Sequence, residues 1–290
     1  MVSEGEAFCP GHVTAFFEVH EDPDPRKKGS RGAGLSLSLG VRTVARVRDD
    51  IHPTIDVLVN GRRQKAEVTE RVAQKVLGDR SCEVKILSDT SLPVSQGFGV
   101  SAAAALSTAL ALDEALGTKI PRDELVAFAH ETEVECGTGL GDVVPASMGG
   151  MDLRLKPGGP GHAEVRKFPV EADLLLAVIG AEMPTKAVLQ DPKKVAAINR
   201  IGGAFVDEFS RDPTLERLFE LGARFAEGTG LADKRVLEVI RASRMFGRAT
   251  MAMLGNSVVA TGNREQLATL YLKFGTLQRC GIDNEGARVL

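Results

Sequence analysis

Apolar and polar residues alternate along several short stretches in the first third of the chain. The clearest stretch, Leu35 to Val47, reads LSLSLGVRTVARV, and a period of two is typical of a strand with one buried face. Val13 to Val19 and Cys82 to Leu87 are also apolar and β-prone. Ile55 to Val59 precedes Asn60-Gly61, which predicts a strand that ends in a tight turn.

Helical spacing replaces this alternation in three further segments. Val68 to Leu77 carries valines four positions apart, which predicts a helix with one buried stripe. Ser101 to Leu116 is a long Ala- and Leu-rich run, and a glycine follows it, as commonly happens at helix ends. Pro121 opens another helix that is predicted to run to about Glu135, since proline is favoured in the first helical turn.

Both patterns recur in the rest of the chain. Strands are predicted at Met151–Leu155, Leu174–Gly180 and Ser257–Thr261, and helices at 192–210, 214–227, 233–246 and 264–281. Since strands and helices are interspersed throughout, the sequence predicts α+β lobes rather than a doubly wound parallel sheet. A turn-rich segment at 156–162 places the lobe boundary near residue 165, so the lobes are expected to span 1–165 and 166–290.

Composition narrows the class of protein. A chain of 290 residues is long enough for two such lobes. Its net charge of −3 gives no basic surplus, so neither nucleic acid nor an anionic membrane is an expected partner. The N-terminal segment has no basic stretch followed by an apolar one, so no signal peptide is predicted and a cytoplasmic location is expected. The four cysteines form no C-x-x-C pair and are expected to be reduced thiols.

The segment from Pro93 to Ala104, PVSQGFGVSAAA, joins two glycines to the start of the Ala-rich helix. Gly97 and Gly99 permit backbone conformations closed to other residues, and they let peptide N–H groups approach a ligand. The free N–H groups and positive dipole end of a helix start suit a phosphate. Ser101 either caps the helix or offers its hydroxyl to a phosphate-bound Mg²⁺.

A purely structural turn is the alternative interpretation of the same segment. No Lys follows the glycines, so this is not a Walker loop. The small Ala residues that follow favour phosphate binding, because they let the helix start pack close to a ligand.

Several segments resemble the motifs of the GHMP kinases, a superfamily of ATP-dependent small-molecule kinases. The glycine-rich loop departs from the family's second motif, Pro-x-x-x-Gly-Leu-Gly-Ser-Ser-Ala-Ala, at Phe98 and Val100. It agrees at Pro93, Gly97, Gly99, Ser101, Ala102 and Ala103. The tetrapeptide CPGH at 9–12 is similar to the first motif, and GLGD at 139–142 is similar to the segment with the family's aspartate. The third motif, at 253–257, keeps a single glycine.

Within this superfamily, the chain resembles the archaeal pantoate kinases. The segments that carry this resemblance are PGHVTAFFEVH, GSRGAGLSLSLGV, AHETEVECGTGLGDVV and AMLGNSV, in this order. The resemblance implies a mixed-sheet nucleotide lobe followed by a ferredoxin-like lobe, and a homodimer. It also implies phosphorylation of pantoate by ATP with Mg²⁺, which gives 4-phosphopantoate for coenzyme A synthesis.

The resemblance also assigns roles in phosphate transfer. The residues expected to hold the nucleotide are Pro93, Gly97, Phe98, Gly99, Val100, Ser101 and Ala102. Ser101 and Glu133 are expected to hold Mg²⁺, since Glu133 matches the family's Ala-His-x-x-Glu pattern; otherwise Glu133 is a surface glutamate. Asp142 is expected to meet the substrate hydroxyl, either as a base or only to orient it. Its structural alternative is a helix or turn cap.

Four residues are candidates for binding the acid substrate: Ser30, Arg31, His130 and Arg154. Arginine suits a carboxylate because it presents paired N–H donors. The GSRGAG stretch around Ser30 and Arg31 is predicted to be a loop that folds over the ligand, or else a mobile loop in solvent. His130 and Arg154 are alternatively a structural histidine and an exposed strand residue.

Two further segments have an open assignment. Pro10-Gly11-His12 either shapes the substrate pocket or forms a tight turn before the first strand. Lys186 either faces the cleft from the second lobe or lies exposed.

Other functions fit parts of this pattern. A mevalonate, homoserine or sugar kinase of the same superfamily would keep the chemistry and change the acceptor. A nucleotide-binding protein without catalysis is conceivable because the third motif is eroded, although Ser101, Glu133 and Asp142 argue against it.

Overall fold

The computed structural model describes residues 2–290, and its N-terminal part is built on one mixed sheet. The first seven strands are β1 (Val2–His20), β2 (Gly29–Asp49), β3 (Thr54–Val59), β4 (Arg62–Arg63), β5 (Cys82–Thr90), β6 (Met151–Lys156) and β7 (Glu164–Phe168). All of their pairings are antiparallel except β3 with β5, which is parallel. The mixed sheet of the N-terminal lobe is therefore confirmed.

Four helices belong to this lobe: α1 (Glu67–Leu77), α2 (Val100–Leu116), α3 (Arg122–Cys136) and α4 (Val143–Met148). Helix α2 contacts β1 and β2 on one side and α1 and α3 on the other. A helix that is enclosed in this way must be apolar all round, which explains its Ala- and Leu-rich sequence.

The C-terminal part has a separate antiparallel sheet. Its strands are β8 (Leu174–Val178), β9 (Gly247–Met251), β10 (Ser257–Gly262) and β11 (Thr276–Cys280), and its helices are α5 (Thr185–Leu189), α6 (Pro192–Phe209), α7 (Leu215–Thr229), α8 (Lys234–Ser243) and α9 (Arg264–Tyr271). The spatial strand order β11-β8-β10-β9 is that of a ferredoxin-like lobe. The predicted two-lobed α+β architecture is thus confirmed.

Two strands that lie at or beyond the predicted lobe boundary pair with the N-terminal sheet. Strand β7 includes residue 165 and pairs with β6, so the N-terminal sheet extends slightly beyond that position. A last short strand, β12 (Arg288–Val289), leaves the second lobe and pairs with Ala7 and Phe8 of β1. Among residues 2–290, no helix is both long and apolar enough to span a membrane.

Three expectations about local structure were wrong. The GSRGAG stretch is the start of β2 and pairs with both β1 and β6, so it is not a loop. Pro10-Gly11-His12 lies inside β1, not in a turn before it. The last predicted helix ends at Tyr271, and its second part forms β11, because residues 276–280 complete the sheet beside β8.

Strand β1 contacts the second lobe through an aromatic cluster. Phe16 packs edge-to-face on Phe209, with ring centroids 5.6 Å apart, and Phe17 lies 5.7 Å from Phe225. Helix α6 approaches β1 most closely at Gly202, where a Cβ atom would collide with the carbonyl group of Phe17. The neighbouring Gly203 faces only the flexible carboxylate end of Glu18.

We therefore expect Gly202→Ala to destabilise the protein by about 2 kcal/mol, because the strand or the helix must shift to admit a methyl group. Gly203→Ala, one residue along the same helix, is the matched control. We expect its stability to stay near or above that of the wild type, since alanine favours helices. Urea unfolding of the three proteins measures the difference. Equal stability of the two variants would contradict the proposed close approach.

Candidate active site

A cleft of about 310 Å³ lies at the start of α2, where the two lobes meet. The glycine-rich loop around 94–102 and the turn at 138–142 form two of its walls. Side chains of β1, β2 and β6 line its floor, and residues of 184–189 and 253–254 contribute from the second lobe. The cleft therefore contains the predicted phosphate loop and the predicted catalytic aspartate together.

The phosphate loop ends in a helix start with free N–H groups. Gly97 and Gly99 have φ angles of 80° and 65°, a region that favours glycine, and Gly99 directly precedes α2. The first hydrogen bond of the helix runs from the N–H of Ala103 to the carbonyl of Gly99. The amides of Val100, Ser101 and Ala102 precede that bond, and all three residues line the cleft. Such amides bind anions well.

The loop is held by the C-terminal lobe. Gly97 packs so closely on the carbonyl of Ala252 that a Cβ atom has no room, and Gly255 abuts the backbone of Gln96 in the same way. The hydroxyl of Ser257 donates a hydrogen bond of 2.9 Å to the side-chain oxygen of Gln96. The single glycine left in the third motif thus supports the phosphate loop.

Glu133 of α3 lies beside the helix start and is only 3% exposed. Its Oε1 accepts hydrogen bonds from Ser101 Oγ at 2.5 Å and from Thr138 Oγ1 at 2.6 Å. Burial raises the pKa of Glu133 from 4.5 to about 7, and the nearby negative charge of Asp142 adds to this rise, while the hydrogen bonds from Ser101 and Thr138 offset only part of it.

Ser101 and Glu133 suit a Mg²⁺ ion that also binds phosphate oxygens. Glu133 is a buried carboxylate without an ion pair to any Lys, Arg or His among residues 2–290, so a cation would supply the missing charge. Magnesium usually keeps waters and binds through one or two protein oxygens plus the phosphates of its nucleotide. The pair of oxygens seen here fits that pattern.

Asp142 also lines the cleft and lies directly before α4. Its Oδ1 accepts hydrogen bonds of 2.9 Å from both His12 Nδ1 and Thr14 Oγ1. Arg154 Nη1 lies 3.9 Å from the same oxygen. Burial alone would raise the pKa of Asp142, but the bond and charge of His12 and the charge of Arg154 hold it below its usual 3.8. Asp142 is therefore ionised at neutral pH.

His12 is fully buried between two carboxylates. Its Nε2 lies 2.6 Å from Asp152 Oδ1, and its Nδ1 bonds Asp142. Burial opposes a charge on the ring, but the two carboxylates outweigh it and raise the pKa of His12 from 6.5 to about 9. Asp152 also forms an ion pair with Arg154, with 3.2 Å between Oδ2 and Nε.

Arg154 and Ser30, two of the four candidates for binding the acid substrate, meet at the cleft floor. Arg154 Nη1 donates to the carbonyl of Gly141 at 2.9 Å and lies 3.4 Å from Ser30 Oγ. Arg154 Nη2 donates to Thr14 Oγ1 at 2.9 Å. These contacts fix the guanidinium group, and both Arg154 and Ser30 line the cleft.

Arg31 and His130 do not line the cleft. Strand residues alternate in direction, so Arg31 points away from Ser30 and pairs with Glu18 and Asp207. His130 is buried, and its Nε2 lies 3.0 Å from the carbonyl oxygen of Lys28. Burial lowers the pKa of His130, so the ring is neutral. It contacts the backbone two residues before Ser30.

Three polar residues of the site were not predicted from the sequence: Thr14, Thr138 and Asp152. Thr14 lies two positions after His12, so the period of a strand places both on one face of β1. Asp152 and Arg154 have the same spacing on β6. This alternation was available in the sequence, whereas the approach of β1 to β6 across the sheet was not.

Comparisons with known proteins identify the family of this chain. Residues 65–150 match the GHMP kinases N terminal domain. The chain belongs to the GHMP kinase family. It is 37% identical to the pantoate kinase of Thermococcus kodakarensis over 90% of this chain and 88% of the relative. Identity to the pantoate kinase of Methanocaldococcus jannaschii is 30%, with coverage of 90% and 93%. A solved structure described as a phosphotransferase related to the CoA biosynthesis pathway superimposes with a TM-score of 0.90 at 32% identity, covering 100% of this chain and 99% of the other.

The buried carboxylate of Glu133 predicts a stability that depends on pH. Its pKa is higher in the folded state, so the ionised group destabilises the fold above pH 4.5, and the full effect of about 3 kcal/mol is reached above pH 7. Without nucleotide and with a chelator present, we expect Glu133→Gln to be more stabilising at pH 8 than at pH 5. Urea unfolding at both pH values measures this.

Glu135→Gln is the matched control, since Glu135 lies exposed on the same helix. Its effect on the free energy of unfolding should change little between pH 5 and pH 8. If Glu133→Gln changed the free energy of unfolding equally at both pH values, Glu133 would not carry a buried, uncompensated charge at pH 8.

Proposed function

We propose that this protein is a pantoate kinase, which transfers the γ-phosphoryl group of ATP to the terminal hydroxyl of pantoate. The observation that carries this proposal is that ionised Asp142 and Arg154 line the same cleft as the helix start of α2. A phosphate chain at the helix start and a hydroxy acid on Arg154 would bring the acceptor hydroxyl to Asp142. The relatives named pantoate kinase support this acceptor.

Positioning and charge stabilisation account for the proposed mechanism. The amides of Val100, Ser101 and Ala102 would hold phosphate oxygens of ATP, and their dipoles would stabilise charge on the transferring group. We propose that Ser101 and Glu133 hold Mg²⁺, which would neutralise phosphate charge when bound. Since the transition state of phosphoryl transfer is loose, correct alignment of donor and acceptor supplies most of the rate.

Asp142 is better suited to orient the hydroxyl than to remove its proton early. The imidazolium of His12 and the guanidinium of Arg154 lower the pKa of Asp142, and a weak base gives little driving force for proton transfer. A fixed carboxylate oxygen can still accept the hydroxyl hydrogen bond and aim the oxygen at phosphorus. The hydroxyl proton would pass to this carboxylate late in the step, as the new P–O bond forms and makes the proton more acidic.

The floor of the cleft favours a hydroxy acid over other acceptors. Arg154 and Ser30 would bind a carboxylate, which a sugar lacks. Homoserine carries an additional ammonium group, and the two carboxylates that line the cleft, Glu133 and Asp142, are already committed to Mg²⁺ and to the hydroxyl. His130 would support this site indirectly through the backbone near Ser30.

A substrate panel tests the function. The purified protein is incubated with Mg-ATP and pantoate, mevalonate, homoserine or galactose, and the phosphorylated product is identified by mass spectrometry. We expect phosphopantoate, with kcat/KM for pantoate well above the other values. Preference for another acceptor would contradict the assignment of pantoate as the substrate. ATP binding without any phosphate transfer would mean that the protein binds nucleotide but is not a kinase.

A homodimer is proposed on the family resemblance alone, and the cytoplasmic location expected from the sequence stays a proposal. Neither property enters the mechanism, because every residue used above belongs to one chain.

Asp142→Asn should abolish most turnover while it preserves nucleotide binding. The amide keeps the size of the side chain but loses the charge that orients the hydroxyl, and we expect kcat to fall by about 100-fold or more. Calorimetric titration with a non-hydrolysable ATP analogue should give a Kd near the wild-type value. Unchanged turnover would remove Asp142 from the mechanism.

Lys186 of α5 is expected to contribute to the binding of ATP. Its side chain passes Gly137 and lines the cleft, and it has no ion pair among residues 2–290. A mobile cation there would attract the phosphates of ATP, so Lys186→Ala should raise KM for ATP severalfold with a smaller effect on KM for pantoate. Lys193→Ala, an exposed residue of the neighbouring α6, is the control. Equal kinetics of both variants would contradict this assignment.

A further inference from the structure

The cleft rests on a closed ring of four charged side chains. Asp142, His12, Asp152 and Arg154 follow one another around it, at the distances of 2.9, 2.6 and 3.2 Å given above. Thr14 closes the ring, since it accepts from Arg154 and donates to Asp142. Two carboxylates face two cations, so the ring is neutral as a whole when all four are ionised.

The hydrogen-bond geometry fixes the protonation of His12. Both ring nitrogens face carboxylate oxygens, and an ionised carboxylate only accepts hydrogen bonds. When both carboxylates are ionised, both nitrogens carry a proton, which makes the ring an imidazolium. His12 has no access to water and does not line the cleft, so it acts on the substrate only through Asp142.

The space around His12 is shaped for an imidazole. A Cβ atom at Gly34 of β2 would lie 2.6 Å from its Cε1, so that neighbouring strand carries no side chain there. Gly99 packs on the backbone of His12, and the N–H of His12 donates to the carbonyl of Phe98 at 3.0 Å. The charged groups that face the ring are thus Asp142 before α4 and Asp152 with Arg154 on β6. His12 also connects the phosphate loop to Asp142.

We propose that Asp152 is a positioning residue: it holds His12 as an imidazolium, and His12 in turn fixes the carboxylate of Asp142 toward the acceptor hydroxyl. This proposal rests on the proposed function, because it assumes that Asp142 orients the acceptor hydroxyl. Without the charge of Asp152, His12 would lose its proton at a lower pH. Asp142 would then face a neutral ring, whose weaker hydrogen bond would hold its carboxylate less firmly toward the hydroxyl.

Asp152→Asn tests this proposal in the kinase reaction. We expect kcat to fall by about 10- to 100-fold, since a small displacement of a catalytic group has effects of this size. KM for ATP should stay near the wild-type value. In the wild type, the rate should also decline at high pH with a midpoint near 9, where His12 loses its proton. In the variant, this midpoint should move down by at least about one pH unit, because the negative charge of Asp152 no longer favours the imidazolium.

Asp89→Asn is the matched control, an exposed aspartate on β5 of the same sheet. It should leave kcat and the alkaline midpoint unchanged. An Asp152→Asn protein with the wild-type kcat and midpoint would overturn the proposal.

A double-mutant cycle separates the route through His12 from a general loss of structure. His12→Gln removes the ring charge but keeps a hydrogen-bonding side chain. In that background we expect Asp152→Asn to cause little further loss of kcat, because its route to Asp142 is already interrupted. A further loss as large as in the wild-type background would mean that Asp152 acts in another way.

Nitrogen NMR of the resting protein makes the test independent of turnover. His12 is assigned by the loss of its signals in His12→Gln, and both of its nitrogens should have imidazolium shifts at pH 7. A neutral His12 at pH 7 would overturn the proposal even if Asp152→Asn does not fold. Conversely, if His12 is an imidazolium but the protein does not phosphorylate pantoate, the proposed function is wrong, whereas the described ring of charged side chains is supported.

Discussion

The cleft depends on how its buried and partly buried charges are balanced. Isolated ions in a protein interior are costly, so each needs an opposite charge or hydrogen bonds nearby. Around Asp142, His12 and Arg154 balance Asp142 and Asp152 within the protein itself. Beside the start of α2, Glu133 has only hydroxyl donors. The charges around Asp142 are thus balanced without any ligand, whereas the charge of Glu133 needs a cation to balance it.

Small residues make this arrangement possible. Gly34 leaves room for the ring of His12, and the alanines of α2 let its N-terminal turn lie close to the sheet. The same absence of large side chains leaves the amides at the start of α2 open to an anion. Packing and the proposed phosphate binding therefore both require small residues here, so mutation to larger residues would disturb both at once.

The sequence predicted features that depend on neighbours along the chain. The phosphate loop, α2, α3 and Asp142 follow from local patterns, and the structure brings Ser101, Glu133, Asp142 and Arg154 into one cleft. Features that depend on distant strands were missed. The glycines of GSRGAG suggested a loop, but they lie in a strand, where they admit β1 and Arg154 at close range. His12 acquires its charge only from Asp142 and Asp152, which are far away in sequence.

The support of the phosphate loop by the second lobe has a thermodynamic consequence. Gln96 and Gly97 touch the backbone of Ala252 and Gly255, so the loop keeps its shape only in one arrangement of the two sheets. A ligand that binds this shape must stabilise that arrangement by the same free energy with which the arrangement favours the ligand. A molecule that wedges the lobes apart at some remote surface would weaken nucleotide affinity without entering the cleft.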